Sequence, residues 1–298
     1  MKKIVVPIDF SDVSKLAVEF AVELAQKSKS EIILLHAVQF DNYYDELYGT
    51  NIDFHSLRLD VRESIEKKMK GLVKNLITKI TINTRIIEDL TLLEAVRYTV
   101  DFENVGLVIL GTTGSSGLSE FLVGSNTEKI IRRIECPVIS VPSKTSFDSI
   151  KNILAPIDPT EVPSDFLAKL VQLQKLFSAK IEFLWVRTPH NIENINSVKK
   201  EFLLRLKEHR LTNFSFDISN RIFPADGIMD ETILHDADMI AMATHARKGI
   251  SHLLSGSITE DTVNHVNVPV WTFKLKNDKG MQLSDFVPQD SKMNLASV

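Results

Sequence analysis

Ile4-Val5-Val6-Pro7-Ile8-Asp9 returns as Ile153-Leu154-Ala155-Pro156-Ile157-Asp158, at an offset of 149 (153 − 4). The register then holds without a gap to Ile32-Ile33-Leu34-Leu35-His36, which aligns with Ile181-Glu182-Phe183-Leu184-Trp185. A second echo follows. Gly111-Thr112-Thr113-Gly114 with Gly124-Ser125 returns as Ala243-Thr244-His245-Ala246 with Gly256-Ser257, now at an offset of 132 (243 − 111). The chain is therefore two copies of one unit, and only the first keeps all its glycines. The offset drops by 17 (149 − 132) between the second and fourth strands, so the second copy is shorter there. The Tyr-rich stretch 41–54 is the expected place of that loss.

Lys3–Pro7 is short, β-branched and apolar on both faces, as a strand covered by helices on each side must be. Ser11-Asp12-Val13-Ser14 offers N-caps, and Leu16, Ala17, Phe20, Ala21, Leu24 and Ala25 follow at helical spacing to about Ser28. The pattern then predicts a strand over 31–38, a loop over 41–54, a helix over 56–76, a strand over 80–87, a helix over 91–100, a strand over 105–111, a helix over 127–135 and a strand over 137–141. The second copy predicts strands at 152–157, 180–186, 215–223, 239–243 and 268–273. Its helices are expected near 164–177, 195–209, 228–235 and 259–265. Strands alternating with helices imply a parallel sheet with right-handed crossovers. The fold class is thus α/β: two tandem Rossmann-like units, each a five-stranded parallel sheet with helices on both faces. The expected division is a first domain over 1–143, a linker over 143–149, a second domain over 150–275 and a mobile tail over 276–298.

Length and composition suit this division. The chain has 298 residues, 44% of them hydrophobic and 25% charged, enough for two units of ordinary size. A formal charge of −4 argues against a general nucleic-acid binder. The single cysteine, Cys136, precludes an internal disulfide and fits a reducing compartment. The apolar runs Ile32–Leu35 and Leu107–Leu110 are far shorter than the roughly 20 residues of a membrane helix. Met1-Lys2-Lys3 leads straight into a strand without a leader-like apolar core. The expectation is a cytoplasmic protein without a membrane partner.

In a parallel sheet, ligands bind at the carboxyl ends of the strands. Gly111 and Gly114 directly follow a buried strand, and Gly124-Ser125 precedes a helix. Missing side chains let backbone amides approach an anion, and a helix N-terminus adds free amides and partial positive charge. Asp9 ends the first strand on the same rim. Its carboxylate cannot hold a phosphate but can accept hydrogen bonds from a base amine or a ribose hydroxyl. Glycines after a strand also serve simply as turns, and an aspartate before a helix serves as a cap. Walker and dinucleotide patterns are absent, since no Gly-Lys-Ser/Thr occurs and no Gly-x-Gly-x-x-Gly follows the first strand.

Val6-Pro7-Ile8-Asp9-Phe10-Ser11, together with Gly111-x2-Gly114-x9-Gly124-Ser125, resembles the universal stress protein family over nearly the whole chain, as a two-domain member with an adenine nucleotide alpha hydrolase-like fold. The resemblance implies ATP as ligand, with Mg2+ carried on its phosphates, bound in the first copy alone. By position, Asp9 would meet the adenine or ribose, with Pro7 and Ile8 lining the site and Val38 contacting the base through its backbone. Gly111, Thr113, Gly114, Gly124, Ser125 and Asn126 would hold ribose and phosphates. Asn126 stands where family members often carry Val. In the second copy, Ala243 and Ala246 place methyl groups where backbone should touch ligand. That copy is expected to bind nucleotide poorly or not at all, holding another anion or completing the fold. The family also implies pairing through the last strand of each unit. Here 137–141 and 269–273 would lie antiparallel as an internal pseudo-dimer, with further homodimerisation open.

No catalytic residue and no protein-only metal site is expected. His235-Asp236-Ala237-Asp238 falls at a helix end, where capping explains it, and no Gly-x-Ser-x-Gly elbow is present. No general base for water stands out, so any ATP hydrolysis would be slow. Cys136 reads as a buried, inert thiol, and Trp185 and Trp271 as core or interface. Tyr43, Tyr44 and Tyr48 could cover a nucleotide or dock an unknown protein partner. The rival reading is a nucleotide-independent interaction scaffold. A flavoprotein or adenylating enzyme is disfavoured, because no Ser-Gly-Gly-x-Ser loop follows the first strand.

Overall fold

The computed structural model describes residues 3–40, 54–76, 78–112, 125–189, 191–244 and 256–275. In chain order the first half contributes β1 (Lys3–Pro7), α1 (Asp12–Ser28), β2 (Glu31–Val38), α2 (Phe54–Asn75), β3 (Ile82–Glu88), α3 (Leu92–Phe102), β4 (Val105–Gly111), α4 (Ser125–Arg133) and β5 (Val138–Val141). The second contributes β6 (Asn152–Pro156), α5 (Ser164–Phe177), β7 (Lys180–Arg187), α6 (Ile195–Glu208), β8 (Phe214–Asn220), α7 (Pro224–Leu234), β9 (Met239–Thr244), α8 (Gly256–His265) and β10 (Val270–Lys274).

The ten strands of the described residues form one sheet in the order β3-β2-β1-β4-β5-β10-β9-β6-β7-β8. Pairing is parallel within each half. At the centre β5 and β10 pair antiparallel, with Ile139 opposite Trp271. The last strands of the two halves are thus adjacent and antiparallel, which removes two edges from solvent. The outer edge strand β3 carries charge: Arg85 pairs with Glu103, and Glu88 with Arg62 at 2.7 Å. Charged edges discourage further strand pairing.

Strand alternation sends side chains into two cores. Ile4, Val6, Ile32 and Leu34 pack with Phe20 and Leu24 of α1, Met69 of α2, Phe166 of α5 and Phe202 of α6. Val5, Ile33 and Leu35 point the other way, toward Val96 of α3, Ile130 of α4, Ile228 of α7 and Val263 of α8. Both cores run through the central seam. Trp271 is 3% exposed there and lies 5.9 Å from the Phe166 ring.

Residues 143–149, expected as a linker, are fastened to both halves. The Phe147 ring stacks on Phe177 of α5 at 4.6 Å, and its amide donates to Glu23 of α1 at 2.7 Å. Asp148 pairs with Lys27 at 3.1 Å. The shortening of the second copy is also distributed differently from expectation. The connection between β2 and α2 spans 39–53, and its counterpart between β7 and α6 only 188–194, which accounts for about half of the loss. The helix itself falls from 22 residues to 14, which accounts for nearly all the rest. The turn into the third strand, 76–81 against 209–213, gives up one position more.

Candidate functional site

In the first half the strand order reverses between β1 and β4, and the crevice above that switch point is where a parallel sheet accepts a ligand. Asp9 stands exposed at the end of β1 on this rim. Its carboxylate accepts from the Ser11 amide at 3.0 Å and the Ser11 hydroxyl at 2.5 Å. Ser11 in turn caps α1 by accepting from the Ser14 amide at 3.3 Å. Burial pushes the Asp9 carboxyl up, but the Ser11 and Ser14 hydrogen bonds outweigh it and hold Asp9 below its ordinary value. Asp9 is therefore an ionised acceptor at neutral pH, oriented by the first turn of the helix that follows it. The next residue, Phe10, sits at φ 67°, a left-handed conformation that costs a non-glycine residue free energy.

Pro7 and Ile8 are buried, so they support Asp9 from beneath. The Ile8 amide donates to the Leu35 carbonyl at 2.8 Å, and His36 Nδ1 donates to the Ile8 carbonyl at 2.6 Å. The half-buried Val38 accepts the Asp89 amide on its carbonyl at 2.9 Å, which uses one of that oxygen's two lone pairs. Asp89 is gripped by Arg58 at 2.9 and 3.1 Å, and Arg58 lies over the Phe40 ring. No motif pointed to this Arg58–Asp89–Phe40 group, because its members come from three separate elements. Helix α4 begins at Ser125, two positions before expectation, so Ser125 and the exposed Asn126 lie in its first turn, where backbone amides lack intrahelical partners. Thr113, Gly114 and Gly124, with the tyrosines at 43, 44 and 48, lie outside the described residues.

Gly111 has a packing reason to be glycine that the sequence did not disclose. A Cβ there would lie 2.8 Å from the Ser14 amide nitrogen and closer still to the Val13 carbonyl. The first turn of α1 fills the space, so the missing side chain admits the helix that Ser11 caps.

The second half repeats the rim with a different outcome. Asp158 accepts from the Thr160 amide at 3.0 Å and hydroxyl at 2.6 Å, as Asp9 does from Ser11, yet is 3% exposed. Position 159, matching Phe10, is a proline, whose ring excludes a positive φ. Ala243 matches Gly111, and α5 starts at Ser164, after Pro163, the match of Ser14. The helical turn that presses on Gly111 is thus absent where Ala243 carries its methyl. Arg187 matches Val38 and spans from the Trp185 ring to the Asn191 carbonyl, at 2.7 Å. His235 caps α7 and bridges Glu182, at 3.0 Å, and Glu231, at 3.3 Å. No cluster of three potential metal ligands occurs among the described residues.

A doubly wound sheet covered by helices on both faces defines an α/β protein of Rossmann-like architecture. The universal stress protein family model matches residues 1–142 and 220–274, and the chain belongs to that family. Universal stress protein MJ0531 of Methanocaldococcus jannaschii is 30% identical over 142 residues, covering 47% of this chain and 81% of that one. Slr1230 of Synechocystis is 23% identical over 305 residues, covering 92% and 100%. A universal stress protein of Archaeoglobus fulgidus shares the fold at a TM-score of 0.65 and 16% identity, covering 91% of this chain and 98% of that one. Among the described residues, no helix is long and apolar enough to cross a membrane.

Proposed function

We propose that the protein binds ATP at the first-half rim and uses it as a regulatory ligand in a cytoplasmic stress response. The observation that carries this reading is the contrast between Asp9, held ionised and exposed at the switch point, and Asp158, in the same hydrogen-bonded turn but buried. Asp9 would accept from a ribose hydroxyl or the adenine amine, and the second lone pair of the Val38 carbonyl would meet the base edge. The first turn of α4, with Ser125 and Asn126, and the glycine-rich residues 113–124 would receive the phosphates. The donor set fits a nucleotide: an acceptor for the sugar or base on one side, amides at a helix N-terminus on the other. Mg2+, when bound, would ride on the phosphates and neutralise their charge.

In this reading residues 1–143 are the ligand-binding domain, 150–275 its non-binding partner, and 276–298 a tail. No described side chain is placed as a general base, so hydrolysis would be slow. Isothermal titration of the full-length protein with ATP and magnesium tests the proposal. One saturable site per chain is expected, lost when Gly114 is replaced by a bulky residue and kept when Ala246 is. Absence of saturation at millimolar ATP rejects it.

A further inference from the structure

Buried hydroxyls collect beneath α4 and α8. Thr112, Thr127 and Ser140 recur in the second copy as Thr244, Thr259 and Thr272, and none of the six is more than 8% exposed. Ser140 alternates with Ile139 and Thr272 with Trp271, so both point to the face shared by Val138 and Val270, the face covered by α4 and α8. A seventh hydroxyl belongs to the second half alone. Thr262, 1% exposed, stands where α4 carries the core residue Ile130.

Their placement can be read from the topology. Helix α8 returns from the carboxyl end of β9 and packs on it, so its first turns stand over Thr244. Thr259 and Thr262 are three positions apart and share one helix face. That face is turned to the sheet, since Ile258, Val263 and Val266 beside them belong to the same core.

Some other buried hydroxyls are satisfied internally, although that of Ser215 on β8 also lacks a partner among the described residues. Buried Thr99 and Thr232 donate to the carbonyls of Ala95 at 2.8 Å and Ile228 at 2.6 Å. Ser140 and Thr272 reach carbonyls across the seam, each at 3.4 Å. Among the described residues, the hydroxyls of Thr244, Thr259 and Thr262 have no partner. Thr112 shares this state in the first half, but there Ile130 stands in place of Thr262. A buried hydroxyl left unpaired forfeits its bonds to water, and three on one contact would be a heavy loss.

We propose that the second half encloses ordered water between α8 and β9, bound by the hydroxyls of Thr244, Thr259 and Thr262. Each hydroxyl both donates and accepts, which suits a water molecule needing about three partners. No member of the group is charged. Among the described residues, the cation in register with Thr244, Lys274, is turned to the Arg133 carbonyl at 3.2 Å. The ligand is therefore small and neutral, and α8 rests on a hydrated contact where α4, through Ile130, rests on a drier one.

A high-resolution crystal structure of the full-length protein, with thermal unfolding of Thr259→Val and Thr262→Val, tests this. Valine keeps the shape and removes the hydroxyl. The expected result is solvent density within hydrogen-bond range of at least two of the three hydroxyls, with each substitution lowering Tm by about 2–4 °C. Dry density overturns the proposal, as does an unchanged or raised Tm, or a bound species larger than water.

Discussion

At Gly111 and Ala243 the two halves solve one packing problem in opposite ways. In the first, the strand gives up its side chain and the helix keeps its first turn. That turn holds Ser11 and Ser14, which orient Asp9. In the second, the strand keeps a methyl group and the helix starts later, after Pro163. The Arg205 guanidinium then donates to the Val162 carbonyl, the counterpart of the Val13 carbonyl that crowds Gly111. The exchange of glycine for alanine thus goes with a later helix start, on a rim whose aspartate is covered rather than exposed. The lesson is that a glycine at the end of a strand can order an acceptor on the same rim through the helix it admits.

The sharpest way to break this comparison is to exchange the residues. Gly111→Ala drives a Cβ into the Val13 backbone, which cannot rotate away as a side chain would. A loss of about 3 kcal/mol is expected, roughly 6–12 °C in Tm, together with loss of ATP binding as the first turn of α1 is displaced. Ala243→Gly creates no clash and should cost about 1 kcal/mol through chain entropy and the lost methyl. Thermal unfolding of both variants decides. Equal and mild effects would mean that α1 shifts easily and the coupling is absent.

The next effect separates the two aspartates. Asp9→Asn should lower ATP affinity by at least about tenfold, the cost of one charge-assisted hydrogen bond, with little change in stability because the group is exposed. Asp158→Asn should leave affinity unchanged but destabilise the fold by about 1–3 kcal/mol, since its buried carboxylate accepts two bonds from Thr160. The depressed pKa of Asp9 fixes the pH dependence. The carboxylate stays ionised at every pH above its ordinary value of 3.8, so its contribution is fully present there and fades only as pH falls through the lower folded-state value. The ratio of the ATP affinities of the natural protein and Asp9→Asn should therefore stay constant between pH 5 and 8, while titration of the terminal phosphate affects both alike. If Asp158→Asn also weakens binding, the second rim takes part.

Much of this was legible in the chain because central strands are apolar on both faces. The bounds expected for β1, β2 and β4 coincide with those observed, and the repeat register carries over to β6 and β7. Element starts away from the sheet centre were harder. The helix expected from Ile228 begins at Pro224, whose ring suits the first helical turn, and the strand expected to reach Phe223 stops at Asn220. Residues 143–149 read as a linker from their Ser, Lys and Thr content, while the one informative residue, Phe147, is anchored by the distant ring of Phe177. Asp9 could be found from its place after a strand. The reason for Gly111 could not, because its neighbour is the Val13 backbone and no local pattern records a tertiary approach.

The smallest effect concerns the entrance to the last strand, where Cys136 in the first half matches Val268 in the second. Both are partly buried and pack on the same core, so the thiol behaves as a small apolar group. Burial pushes its pKa up to about 12 from an ordinary 9.0. The thiol is protonated in folded and unfolded chains alike at pH 7, and Cys136→Val should leave stability there within about 1 kcal/mol. Above pH 9 the unfolded chain releases the proton while the folded one keeps it. Stability of the natural protein is therefore lost progressively between about pH 9 and 12, and the valine variant escapes that part of the loss. Denaturant unfolding at pH 7.5 and pH 10 measures both terms. Curves that stay parallel at pH 10, or rapid alkylation of the folded protein at pH 7.5, would show Cys136 to be solvated and unlike its counterpart Val268.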